Sequence, residues 1–110
     1  MQLHLDGILF GTLSDHEYET PWAIARITPV DAEAWAGLCR ASKLDALDPK
    51  ELPDDDDEYD RLLAKLGVTK TDVARFGSGG WTIVNPGSPR SGPIDLYECS
   101  DDGWIRWRWR

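Results

Sequence analysis

Residues 94–110 read IDLYECSDDGWIRWRWR, and they hold the strongest fold signal of the chain. Asp102 and Gly103 form a dipeptide that favours a tight hairpin turn. Residues on both sides of the turn have strand composition, so we expect strands over 94–99 and 104–110. In the second strand Ile105, Trp107 and Trp109 share one face. The C-terminal part is therefore predicted to be an antiparallel hairpin with one apolar face.

Strand composition also appears before this hairpin. Residues 81–84, WTIV, predict one strand, and the Gly- and Pro-rich residues 86–93 predict a loop. Residues 2–28 predict an N-terminal antiparallel hairpin whose polar centre, 14–19, holds the turn. Gly7 and Gly11 indicate a bend or bulge in the outgoing strand, which leaves open that this strand is broken.

Three helices are predicted between these strands. Thr28, Pro29 and Asp31 are typical of a helix start, and Val30 and Cys39 would belong to the inward face of a helix that reaches about Ser42. After an irregular link over 43–53, a second helix is expected to begin in the acidic run at 54–58 and to end at Gly67. A third, opened by the residues 69–72, is expected to stop at the glycines of 77–80.

The element order ββ-ααα-βββ predicts the fold class. Strands and helices that are kept apart along the chain favour an α+β domain. We expect a single domain over 1–110, in which an antiparallel sheet of about five strands carries two to three helices on one face. The length of 110 residues fits one hydrophobic core.

Composition limits the class of protein and its partners. With 41% hydrophobic and 29% charged residues the chain is expected to fold alone. No apolar run approaches the roughly 18 residues of a membrane-spanning helix, and the start lacks a signal-peptide pattern, so we expect a cytoplasmic protein without a membrane partner. Cys39 and Cys99 fit neither a disulfide framework nor a zinc site, which predicts two buried reduced thiols.

Charge is unevenly distributed along the chain. Its formal net charge is -8, but residues 1–60 hold 15 acids and 4 bases while residues 61–110 hold 5 acids and 8 bases. Such a chain repels nucleic acid and anionic lipid at long range, and it accommodates a basic partner protein more easily.

The acidic segment, residues 54–60, is the densest charged feature. Four consecutive carboxylates exceed what one helix start requires, so two interpretations stay open: a solvated helix start, or a docking surface for a basic partner. A calcium loop fails because Tyr59 stands where the loop glycine is needed. The candidate partner-binding residues are Asp54, Asp55, Asp56, Asp57, Glu58, Tyr59 and Asp60, together with Asp15, Glu17 and Glu19. Tyr59 or an exposed Trp beside them would supply the desolvated anchor.

The C-terminal strand offers a secondary candidate surface, formed by Trp104, Arg106, Arg108 and Arg110. Arg and Trp are enriched in interface hot spots and also stack on single-stranded nucleic acid. A structural interpretation stays open beside these two, in which the arginines extend along the solvent face or pair with acids of the first half.

Residues 62–76, LLAKLGVTKTDVARF, resemble the helix-turn-helix of DNA-binding regulators through the LGVT turn and the DVAR that follows. The resemblance implies a nucleic-acid-binding regulator that would use Lys65, Lys70, Arg75 and the terminal arginines. The family's usual Ala is Leu63 here, and the expected recognition helix is cut short at Gly77. Acids at the start of the preceding helix would repel phosphates, so this function is the alternative hypothesis.

Candidate catalytic residues are few. His16 between Asp15 and Glu17 has the side chain of a general base or metal ligand but lies in an expected turn. Ser88 and Ser91 lack the strand-turn-helix context of a nucleophile, and Cys39 is expected to be an inert core thiol. We therefore expect a protein that is not an enzyme, with no metal and no cofactor.

Size, charge and the acidic segment together resemble the small acidic α+β immunity or inhibitor proteins of bacteria, which block a basic toxin or nuclease site with a carboxylate-rich face. The resemblance implies a non-catalytic protein-binding module that occludes a basic partner. The sequence leaves open a homodimer formed through an exposed strand edge.

Overall fold

The structure, a computed structural model, describes residues 1–19, 21–86 and 91–110. Within these ranges the chain forms six strands, three α-helices and one 3-10 turn. In chain order they are β1 (Gln2–Leu5), β2 (Ile8–Glu19), β3 (Trp22–Pro29), α1 (Ala32–Asp45), the 3-10 turn (Pro49–Glu51), α2 (Asp56–Leu66), α3 (Lys70–Phe76), β4 (Trp81–Val84), β5 (Gly92–Cys99) and β6 (Trp104–Trp109). The α+β class is confirmed.

The strands close into an antiparallel barrel in the order β1-β2-β3-β6-β5-β4, and β1 also pairs with β4. The prediction of an open sheet of about five strands is therefore wrong, as is the strand count in the order ββ-ααα-βββ. Asp6 and Gly7, both at positive φ, split the first expected strand into β1 and β2. Because β1 is a strand distinct from β2, it pairs with β2 on one side and with β4 on the other. Among the described strands the closed barrel therefore has no free strand edge of the kind considered for a homodimer.

The second strand is longer than expected. Residues 14–19 were predicted as a turn, but β2 continues to Glu19 and passes this region through an irregularity between Ser14 and Glu17. Asp15 takes a positive φ of 53° there. A β-bulge accommodates one extra residue in one of two paired strands, so the polar end of β2 remains paired with β3. The irregularity expected near Gly11 is confirmed, since the β1–β2 register shifts between Leu3 and His4.

Large and small side chains alternate inside the barrel. Trp107, fully buried, is paired in register with Ala23 on one side and Leu96 on the other. Ile105 is likewise opposite Ala25. The alanines of β3 leave the volume that the β6 side chains fill, as close packing requires.

The helices lie at one end of the barrel. Because β3, β6, β5 and β4 are successively antiparallel, the end of β3 and the start of β4 meet at the same end. Contacts fix the helices there: the Cys99 N–H donates to Ser42 Oγ at 3.0 Å, and the Trp81 indole donates to the Arg75 carbonyl at 2.7 Å. Trp35, Leu38 and Cys39 of α1 join the core of the barrel.

Helix boundaries follow local signals with one exception. Gly67 ends α2 in the left-handed conformation, and Thr69 with Asp72 forms a capping box on α3, both as predicted. The first helix was predicted to start at Thr28–Asp31. It starts at Ala32 with Asp31 as N-cap, because Thr28 and Pro29 pair with β2.

Candidate functional site

The acidic segment forms the entrance to α2. Asp55 is the N-cap, and its side chain accepts the Asp57 N–H at 3.0 Å. Asp56, Asp57 and Glu58 occupy the first turn, where carboxylates favour the helix dipole. The Asp55 carboxylate is sufficient to cap the helix, so the hydrogen bonds at this helix start do not require the other carboxylates of the segment.

Most carboxylates of the acidic segment are unneutralised. Its carboxylate residues are all exposed. Asp60 lies 3.4 Å from the Lys70 ammonium, whereas no ion pair within 4.0 Å reaches residues 54–58 from any described residue. The other ion pairs among the described residues are Arg26 with Asp15, Lys43 with Asp101 and Arg110 with Asp95. Negative charge is therefore concentrated at the start of α2.

Tyr59 does not provide the exposed anchor that the sequence suggested. Its side chain is half-buried and packs against the core. Among the tryptophans, Trp35, Trp81 and Trp107 are buried. The acidic segment consequently supplies charge but no large exposed aromatic surface of its own.

The structure separates the two groups of predicted partner-binding acids. Asp15, Glu17 and Glu19 belong to the second half of β2, toward the barrel end opposite the helices. Asp15 lies 3.9 Å from Arg26, and Glu17 is opposite Ile24. The side chain of Glu19 lies outside the described part. These acids belong to the barrel wall and not to the surface at α2.

The C-terminal arginines lie beside acids of the neighbouring strand β5. Arg106 is opposite Glu98 and Arg108 is opposite Asp95 in the β5–β6 register. Arg110 donates from Nε to Asp95 at 2.9 Å and from its terminal nitrogen to the Gly79 carbonyl at 3.1 Å. These acids belong to the second half of the chain, so the suggested pairing of the C-terminal arginines with acids of the first half is not what the structure shows.

Aromatic rings of the same barrel wall also contact neighbouring side chains. The Arg26 guanidinium lies over the half-buried Trp104, with its Cζ 4.7 Å from the ring centroid. The rings of Trp22 and Tyr97 pack in a tilted arrangement with their centroids 4.2 Å apart. Ile105 and Trp107 point inward and are buried, as predicted, while Trp109 is half-buried. The wall is therefore mixed in charge, unlike the acidic segment.

The basic residues of the alternative nucleic-acid hypothesis are dispersed. Lys70 pairs with Asp60, and Arg75 is half-buried and lines a cleft between α1 and the β1–β2 turn. The helix in the recognition position, α3, has only seven residues. Nucleic-acid binding stays a prediction.

The candidate catalytic side chains have structural contacts. His16 stacks on Trp107 at 5.6 Å between ring centroids. The Ser91 hydroxyl accepts the Asn85 N–H at 2.8 Å, and Ser88 lies outside the described residues. Across the ranges that the structure covers, no group of three or more His, Cys, Asp or Glu is arranged to hold a metal ion.

Both cysteines are buried and unbridged, as predicted. Burial raises the pKa of the Cys39 thiol from 9.0 to about 11, and the Asp101 carboxylate is the second cause. Burial also raises the pKa of Cys99. Thiols in these surroundings stay protonated at neutral pH, so they are poor nucleophiles.

One exposed apolar surface was not predicted from the sequence. Ile8, Leu9 and Val30 are 73%, 39% and 67% exposed, and they surround a cleft at the helix end of the barrel. A signal for it exists in the run Ile8-Leu9-Phe10, because three consecutive apolar residues in a strand cannot all face one side. Val30 was expected on the inward face of the first helix but precedes it.

No protein-family model matches the chain, and comparisons with curated proteins and with solved structures found no match. No described helix has the length and apolar character needed to cross a bilayer; the longest, α1, has 14 residues.

Proposed function

We propose that this chain is a non-catalytic protein-binding module that docks a basic partner protein through the acidic segment. One observation carries the proposal: Asp54, Asp56, Asp57 and Glu58 are exposed, and no described cation neutralises them. Other exposed acids, such as Asp6 and Glu33, also lack an ion pair with a described residue. The acidic segment is distinguished because its unpaired carboxylates are adjacent in the chain. A partner's cations would relieve the mutual repulsion of its carboxylates.

Electrostatic docking of this kind acts mainly on association. Concentrated charge steers an oppositely charged partner and accelerates encounter, and its effect weakens as salt shortens the Debye length. We propose that the consequence for the partner is occlusion of a basic functional surface, as an immunity or inhibitor protein would provide. We further propose that this takes place in the cytoplasm.

A capture experiment with charge-matched variants tests the proposal. The acid variant is Asp54→Asn/Asp56→Asn/Asp57→Asn/Glu58→Gln, which keeps the Asp55 cap. Its control neutralises four exposed acids elsewhere: Glu17→Gln/Asp45→Asn/Glu98→Gln/Asp102→Asn. Each variant removes four negative charges from the net charge of -8, so the two variants carry the same overall charge.

The native chain and the control variant should retain the same basic protein from native lysate at low salt, in stoichiometric amount and identified by mass spectrometry. High salt and the acid variant should both release it, because each removes the local attraction. Capture of the same proteins by all three chains, or no capture by the native chain, contradicts the proposal.

A further inference from the structure

An aliphatic patch of Ile8, Leu9 and Val30 stands out on the helix end of the barrel. Ile8 and Val30 are 73% and 67% exposed, and Leu9 is 39% exposed. Single exposed apolar residues are ordinary on protein surfaces, but several around one cleft mark an interaction site. Folding alone therefore does not explain why these three aliphatic side chains are exposed together.

The backbone holds the patch in place from two sides. Asp6 and Gly7 turn the chain so that Ile8 opens β2, and the Val30 N–H donates to the Phe10 carbonyl at 2.9 Å. The backbone at this corner is thus fixed, although its aliphatic side chains are open to solvent. Such a preorganised surface loses little conformational entropy when a partner binds.

The cleft beneath the patch has the size of a side-chain pocket. Its volume is about 250 Å³, and Leu5, Phe10 and Ala34 contribute to its lining. Sites for small ligands usually enclose about 300–1,000 Å³ and bury most of the ligand. A smaller, open cleft bordered by protruding aliphatic side chains fits one or two apolar side chains of a partner protein better.

The surroundings of the cleft are predominantly acidic. Asp6 and Asp31 line it together with Arg75, and a polar cleft of about 520 Å³ adjoins it through Asp31, Ala34 and Arg75. The two clefts together are lined by four acids and two arginines: Asp6, Asp31, Glu33, Asp72, Arg40 and Arg75. Asp6 and Glu33 are exposed and form no ion pair with a described residue.

We propose that the aliphatic patch is the anchor site for a partner segment that carries a bulky apolar side chain beside Lys or Arg. The apolar side chain would enter the cleft between Ile8 and Val30, and the cation would lie toward Asp6, Asp31 or Glu33. Apolar burial in a desolvated pocket supplies binding energy that exposed charges do not. The partner's basic character rests on the proposed function, whereas the apolar anchor rests on the patch itself.

Selection from a display library of short random peptides tests this directly. The native chain is the bait, and selected peptides are then measured against Ile8→Ser/Val30→Ser, against the acid variant and against Leu66→Ser. Leu66 is a matched control because it is 40% exposed and aliphatic but lies on α2, outside both clefts. Circular dichroism and the unfolding midpoint confirm that each variant folds.

The expected peptides combine an apolar residue with Lys or Arg. Their affinity should fall about tenfold or more in Ile8→Ser/Val30→Ser and stay unchanged in Leu66→Ser. Basic peptides that lack an apolar residue and respond only to the acid variant would overturn the anchor while leaving the proposed function intact. Enrichment of apolar peptides without Lys or Arg, or no enrichment at all, would overturn the proposed anchor site.

A second copy of the chain is the competing occupant of the patch. Sedimentation of the native chain over a range of concentrations should show a monomer, because each copy carries a net charge of -8. A dimer that dissociates in Ile8→Ser/Val30→Ser would overturn the proposal.

Discussion

Gly37 of α1 lies where that helix packs against Asp72 of α3. A Cβ at this position would overlap the Asp72 carboxylate, whose Oδ2 accepts the Thr69 N–H at 3.1 Å. The absence of a side chain at residue 37 therefore allows both the helix contact and the capping box. This requirement is steric, since Gly37 has helical and not left-handed backbone.

Gly37→Ala should reduce the free energy of unfolding by about 1–3 kcal/mol, because overpacking displaces Asp72 from the cap. Urea denaturation measures the effect. Gly92→Ala is the control, since an added Cβ there meets no atom of a described residue within 4 Å, and it should stay within about 0.5 kcal/mol of the native chain. Equal effects at the two glycines would contradict the packing argument.

The Cys39 thiol makes stability depend on alkaline pH. Its pKa is raised from 9.0 to about 11 in the folded chain, first by burial and then by Asp101. A raised pKa means that the unfolded state ionises first, so the stabilisation is complete below pH 9 and is lost as pH rises toward 11. Cys39→Ala should lose less stability than the native chain across this window, as measured by urea denaturation at each pH. Parallel pH profiles would contradict the assignment.

At the scale of secondary-structure elements, α3 depends on its start. The Thr69 hydroxyl accepts the Asp72 N–H at 3.0 Å, and the helix has only seven residues. Thr69→Ala should cost about 0.5–2 kcal/mol of unfolding free energy, whereas Thr71→Ala, exposed in the same helix, should cost less. Thermal unfolding compares the two. A larger effect at residue 71 would show that the cap is not what stabilises α3.

Helix ends and turns could be predicted from the sequence where residues close in the chain determine them. The cap at Thr69, the stop at Gly67 and the hairpin turn at Asp102 and Gly103 each depend on groups within a few residues. The first helix start was not predictable, because Thr28 and Pro29 form a good helix entrance that strand pairing with β2 overrides. The same long-range pairing leaves Val30 outside the helix and exposed, so the aliphatic patch was not predicted.

At the scale of the whole molecule, barrel closure depends on one short strand. β1 has four residues and pairs with both β2 and β4, which are separated from each other in the chain by β3 and all three helices. No local pattern encodes a contact over that distance, so the sequence predicted an open sheet. The Arg110–Asp95 ion pair, by contrast, lies within the C-terminal β5–β6 hairpin and does not depend on closure.

The net charge of the chain and the acids opposite the β6 arginines argue against nucleic-acid binding. We expect no change in fluorescence anisotropy when a labelled random single-stranded oligonucleotide is titrated at about 150 mM salt. The net charge of -8 repels phosphates, and the β6 arginines face acids of β5. Saturable binding that weakens with salt and is lost in Arg106→Ala/Arg108→Ala would favour the alternative function.

We propose that a basic partner covers the acidic segment, and hydrogen–deuterium exchange of the native chain, alone and with the protein captured in stoichiometric amount, can show this. We expect slower exchange over residues 54–60 in the complex, and slower exchange at the aliphatic patch where it anchors the partner. Protection confined to the wall formed by β5 and β6, with residues 54–60 unchanged, would contradict the proposal.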